Sequence, residues 1–205
     1  MFGMATIPDR KPYGVNLTQV AAGFPTHRHD PAFWTALGRV VATFGFLEET
    51  LGKAIFAMTA TTEYDDEAAA AAVEKWGGTL EAAIKNPLGA KIRGYEAAVR
   101  ANGKVELGNS EWLFDDLRKA AEVRNVLCHG SWSLADADGA SVPFFVDRHL
   151  RRFTTKVDIA FLDQVQRHAA ELAVAVINSV TGMGWQFPGS NGPGKEIWRS
   201  GGSPP

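Results

Sequence analysis

From position 31 onward apolar side chains recur at three- and four-residue steps: Phe33, Leu37, Val40, Phe44, Leu47, Leu51, Ile55 and Met58. At about 100° per residue they fall within roughly 40° of one line, which predicts a single long amphipathic helix. Asp30 and Pro31 supply its N-cap and first residue. Trp34, Val41 and Glu48 form a second seam beside the first, and Phe46 and Phe56 lie outside both. So much apolar surface predicts burial on more than one side, most economically against a second subunit.

The alanine-rich run Glu67 to Trp76 predicts a helix that Gly77-Gly78 breaks, with a short helix following to Lys85. Leu88, Ile92, Tyr95 and Val99 space another, closed by Asn102-Gly103. A further helix opens at Asn109 or Ser110, carries Leu113, Leu117, Ala120, Arg124 and Leu127 on one face, and ends near Gly130. The period then switches to two across Ser131 to Leu134 and Val142 to Val146. The stretch Asp136-Ala137-Asp138-Gly139 between them predicts the turn of a β-hairpin. After the basic stretch Arg148-His149-Leu150-Arg151-Arg152, a last helix runs from about Asp158 with Phe161, Val165, His168, Leu172 and Val176 as its stripe. Val174 and Ile177 add apolar surface off that stripe. The expected architecture is all-α: an antiparallel helical bundle over 31–181 with a small β-hairpin inserted before the last helix. An extended arm over 1–30 precedes it. A Gly-, Pro- and Ser-rich mobile tail over 182–205, with Trp185 and Trp198, follows.

Composition narrows this picture. A chain of 205 residues, 45% hydrophobic and 21% charged, is long enough for one domain with a real core. A net charge of −2 excludes coating nucleic acid by bulk charge, while leaving room for a local basic site. The lone Cys128 excludes an internal disulfide and fits a reducing compartment. No apolar run approaches the roughly 18 residues of a membrane helix, and no basic-then-apolar leader opens the chain. A cytoplasmic protein without a membrane partner is the expectation.

One position is chemically conspicuous. Arg124 lies at the centre of an apolar stripe, where a cation is costly unless paired and hydrogen-bonded. Glu48, bordering the stripe of the long first helix, is the best-placed carboxylate. Asn125 and His129 are four apart and share another face with Arg118 and Glu122. In an ideal helix Arg124 and His129 diverge by about 140°, so they converge only if the helix loosens at Gly130 or a second subunit contributes. Cys128 and His168 read as core residues. Thr26-His27-Arg28-His29-Asp30 reads as a polar loop, since two alternate histidines hold a metal only with a third ligand from elsewhere.

An Arg-Asn pair followed by three residues and His, on the penultimate helix of an all-α bundle, resembles the motif of HEPN domains. That motif is an Arg, four to six residues, then a His, often with a polar residue directly after the Arg. Arg124, Asn125 and His129 fit each position, and the long first helix with Phe44, Leu47-Glu48 and Leu51 resembles the family's opening helix. The resemblance covers roughly residues 31–181, and only the short motif is specific. The alanine-rich region and the hairpin, a candidate gate over the site, depart from the minimal pattern.

The resemblance implies a homodimer with the motif facing a cleft between subunits, and metal-independent endoribonuclease activity without a cofactor. His129 is then the acid or base near neutrality, Arg124 the cation for the phosphorane, and Asn125 the group that orients the imidazole or a phosphate oxygen. Arg148, Arg151 and Arg152 are candidates for holding flanking phosphates of RNA. An antitoxin or regulatory protein is a candidate partner. Two other classes stay open: a non-catalytic HEPN-like dimer that binds RNA or nucleotide or acts as a scaffold, and a metal or thiol enzyme using His27, His29, Cys128 and His129.

Overall fold

The Asp30 carboxylate accepts from the Ala32 backbone N–H with Pro31 in the first turn, so helix α1 (Pro31–Thr61) begins at its strongest local signal. In the computed structural model, which describes residues 11–105 and 110–192, four more helices follow. They are α2 (Asp66–Lys85), α3 (Leu88–Ala101), α4 (Ser110–His129) and α5 (Ile159–Thr181). The expected features at residues 1–10, Asn109 and the tail beyond residue 192, including Trp198, lie outside the described residues.

Helix α1 is the axis of the bundle and touches all four others. Its buried Val40, Phe44, Leu47, Leu51 and Met58 share one core with Ile92 and Tyr95 of α3. Leu113, Phe114 and Leu117 of α4 and Leu162, Leu172, Val176 and Val180 of α5 complete it. Two glycines permit close approach. A Cβ on Gly52 would stand 2.9 Å from the Ala83 carbonyl of α2, and one on Gly94 would stand 3.2 Å from Ile55 Cδ1. The buried Asn102 side chain, just past α3, donates to the Met58 carbonyl and to Thr61 Oγ1, each at 2.9 Å, and ties the ends of α1 and α3 together. Buried Tyr95 donates to Ser179 Oγ at 2.7 Å, and burial pushes its phenol up to about 12.

In secondary structure and helix facing, three details differ from the sequence expectations. Gly77-Gly78 does not break α2, which runs unbroken to Lys85 with Asp65 capping Ala68. Each glycine costs about 1 kcal/mol relative to alanine, which a capped helix docked at Ala83 absorbs. The buried face of α5 is rotated by about one position in its first half. Leu162 and Ala169 are buried, while Phe161, Val165 and His168 border the surface. Between α4 and α5 the chain reverses through an Asp136–Gly139 turn, with Gly139 at φ 76°. Pairing there is limited to single antiparallel bridges (Ser131 with Phe144, Ser141 with Val157, Val146 with Arg152), and no strand forms among the described residues.

The expected loop at 26–29 is docked. Arg28 Nη1 donates to the Trp132 carbonyl at 2.6 Å, and Ala135 N–H donates to the Arg28 carbonyl at 3.0 Å. His29 Nε2 shares a hydrogen bond with Ser141 Oγ at 2.9 Å, and its ring stacks on Phe33 at 3.9 Å between centroids, with Trp34 and Trp132 edge-on.

Candidate functional site

Helix α4 buries Leu113, Leu117, Ala120, Ala121 and Leu127, and Arg124 rises from that face at its edge. Arg124 Nη2 donates to Glu48 Oε1 at 3.1 Å, and the two side chains are 26% and 23% exposed. The pair therefore stands at the rim of the α1–α4 contact. Asn125 is exposed, and its Oδ1 accepts from Arg124 Nη1 at a long 3.5 Å. No hydrogen bond joins Asn125 to His129 among the described residues, so the amide leans toward the guanidinium rather than the imidazole. His129 is exposed at the last position of α4. The helix does not loosen before it, because Gly130 N–H still donates to the Val126 carbonyl at 2.8 Å. Arg124 and His129 thus keep the wide angular separation of an ideal helix.

Past His129 the chain is held tightly. A Cβ on Gly130 would meet the Val126 carbonyl oxygen at 2.6 Å and Pro143 Cβ at 2.9 Å, so only glycine lets the returning chain pack there. Ser131 and Phe144 then exchange backbone hydrogen bonds at 3.0 and 2.8 Å. The basic turn follows, organised by Asp147, whose carboxylate accepts from His149 N–H, Arg151 N–H and Arg151 Nε. These hydrogen bonds, led by the Arg151 backbone N–H, hold the Asp147 carboxyl below its usual range. Arg151 is thus engaged within the turn, and Glu122 of α4 is close enough to add to the field on it. Arg148 Nε donates to His149 Nε2 at 3.0 Å. The Arg152 guanidinium lies over the Phe144 ring, 5.6 Å from its centroid. Neither Arg148 nor Arg152 pairs with a carboxylate among the described residues.

Other candidates fall elsewhere. Cys128 is exposed rather than buried, because it sits one position past Leu127 and about 100° off the buried face. His168 is not a core histidine; it is 44% exposed, with Nδ1 3.8 Å from Glu171. It borders a shallow groove of about 170 Å³ floored by Phe44, Ala120, Val123 and Val165. His27 stacks on Phe24 while His29 is committed to Ser141, so the two do not converge. No group of three or more His, Cys, Asp or Glu side chains is arranged to hold a metal among the described residues. No helix among them is long and apolar enough to cross a membrane. Sequence reasoning passed over Phe144, whose signal was an aromatic on the outward side of an alternating stretch.

No family model matches the chain, and neither a curated protein nor a solved structure similar to it was found.

Proposed function

We propose that this chain is a HEPN-like, metal-independent endoribonuclease that acts as a homodimer and cleaves RNA by 2′-hydroxyl attack. The observation that carries the reading is the occurrence of a half-buried arginine, an exposed amide and an exposed histidine within the last turns of α4, beside a basic turn. In such a cleavage a base takes the 2′-hydroxyl proton, the oxygen attacks phosphorus, and the bond to the 5′-oxygen breaks as that oxygen is protonated. The products are a 2′,3′-cyclic phosphate and a 5′-hydroxyl. In this reading His129 transfers the proton, and its exposure supports that role because RNA can reach it. Arg124, held by Glu48, supplies a planar fixed cation for the phosphorane.

Because α4 stays wound to its end, one protomer points these groups apart, and a second copy is needed to bring an Arg124 and a His129 to one phosphate. Exposed Val41 and Phe46 on α1 and Val174 on α5 offer apolar surface for it. Phe56 is less available, since it stacks on Trp76 of α2 with centroids 6.1 Å apart. In this reading RNA is the substrate, and an antitoxin or regulatory protein is the partner that restrains the dimer.

The alternative is a non-catalytic dimeric module that binds RNA or nucleotide. The engagement of the Arg124 guanidinium by Glu48 favours it, since a structural ion pair needs no substrate. Incubating the pure protein with total RNA in EDTA separates the two. New 2′,3′-cyclic phosphate ends that His129→Ala fails to produce identify the nuclease. Binding without new ends identifies the module.

A further inference from the structure

We infer that Phe144 and Arg152 form a stacking platform for an unpaired nucleobase of an RNA bound at the end of α4. The inference rests on the ribonuclease reading for its choice of polymer. Phe144 is 57% exposed in a segment whose neighbour Pro143 is buried against Gly130. The backbone that carries this exposed ring is anchored by its pairing with Ser131. The Arg152 guanidinium lies over it, 5.6 Å from the ring centroid, and the Arg152 backbone is anchored by the bridge to Val146. A guanidinium layered on an aromatic ring is the flat, cationic surface on which bases of any identity stack.

Position and charge select the occupant. Ser131 is two residues beyond His129, at most about 7 Å of chain, and a paired residue lies about 5.5 Å across the bridge. Phe144 is therefore within roughly 12 Å of His129 between Cα atoms, within reach of a neighbouring nucleotide of one bound strand. Arg148 and Arg152, without carboxylate partners among the described residues, complement the phosphates that strand would carry. Asp147 neutralises Arg151 between them, so the electrostatic contribution rests on two cations rather than three. A paired base hides both faces within its own stack, so only unpaired bases can use the ring.

The test uses the full chain carrying His129→Ala, so that RNA stays intact, and a 12-nucleotide single-stranded RNA with 2-aminopurine at successive positions. Binding with fluorescence quenching at one position is expected. Phe144→Leu should weaken affinity roughly 5- to 150-fold and abolish the quench, while Phe144→Trp keeps both. Arg152→Ala should lower the salt dependence by about one phosphate contact. Equal binding by Phe144→Leu, equal competition by a duplex of the same composition, or no binding of the single strand overturns the platform. Should Phe144→Leu melt early, absence of quenching with Phe144→Trp overturns it instead. Cleavage of total RNA by the unsubstituted protein is scored separately. A platform that binds the single strand without any cleavage leaves the stacking surface standing as a binding site and removes the nuclease.

Discussion

Removing the Glu48 carboxylate leaves the half-buried Arg124 without its carboxylate partner. Arg124 Nη2 and Glu48 Oε1 are 3.1 Å apart. At an effective dielectric near 20, charges at that separation attract by about 5 kcal/mol, and desolvation offsets most of it. Breaking a fully buried pair costs about 3–5 kcal/mol, whereas an exposed pair contributes about 0–1. With the two side chains 26% and 23% exposed, the pair falls between those limits. Glu48→Ala should therefore cost about 1–2 kcal/mol, or roughly 2–8 °C in melting temperature for a chain of this size. Glu48→Gln, which keeps an acceptor for the guanidinium, should lose less. Urea unfolding of Glu48→Ala, Arg124→Met and the double variant gives the coupling energy directly, and at least about 1 kcal/mol is expected. A coupling within about 0.3 kcal/mol of zero would refute the reasoning, because each group would then be equally stable without the other.

His129→Ala should slow RNA cleavage in EDTA by roughly 10²–10⁴-fold. The exposed side chain predicts an unchanged circular dichroism spectrum, and equal single-turnover rates would move the activity elsewhere. The unsubstituted chain should run as a dimer in light scattering at micromolar concentration, and Phe46→Glu as a monomer; a monomeric parent removes the two-copy site. Burial lowers the His29 imidazole below its ordinary value near 6.5, opposed by the backbone of Ser133 and Gly139 and by the Asp136 carboxylate, itself paired with Lys156. Its neutral folded form makes stability full above about pH 6.5 and progressively lost as pH falls toward the lowered folded value. His29→Phe should flatten that part of the urea-midpoint profile, and an unchanged slope would assign it to other groups.

The start of α1 and the meeting of Glu48 with Arg124 were legible in the sequence for the same reason. A capping carboxylate before a proline has few other uses, and a cation inside an apolar stripe demands an anion on whatever packs against it. The Gly77-Gly78 pair was misleading because its penalty is local while the docking at Ala83 that outweighs it is not. Val165 and His168 lie close enough to Leu162 and Ala169 around α5 that periodicity alone could not choose the deeper face. The alternation at 131–146 looks like paired strands, yet the proline ring packed on Gly130 and the bridge from Ser141 to Val157 carry the chain elsewhere. The commitment of His29 to Ser141 spans 112 positions, and no local pattern announces such a contact.

The docking of residues 26–29 bears on how the segment after α4 can move. Its two stems are anchored, one at Gly130 and one at Val157, and Arg28 and His29 pin its middle at Trp132, Ala135 and Ser141. Tied at so many points, the segment after Gly130 is braced against both the start of α1 and the end of α4. Its least anchored point is the tip at Leu150, which stands 86% exposed at φ 62° on a turn that Asp147 holds together. The end of α4 is thus bordered by a segment braced from three sides rather than by a free loop.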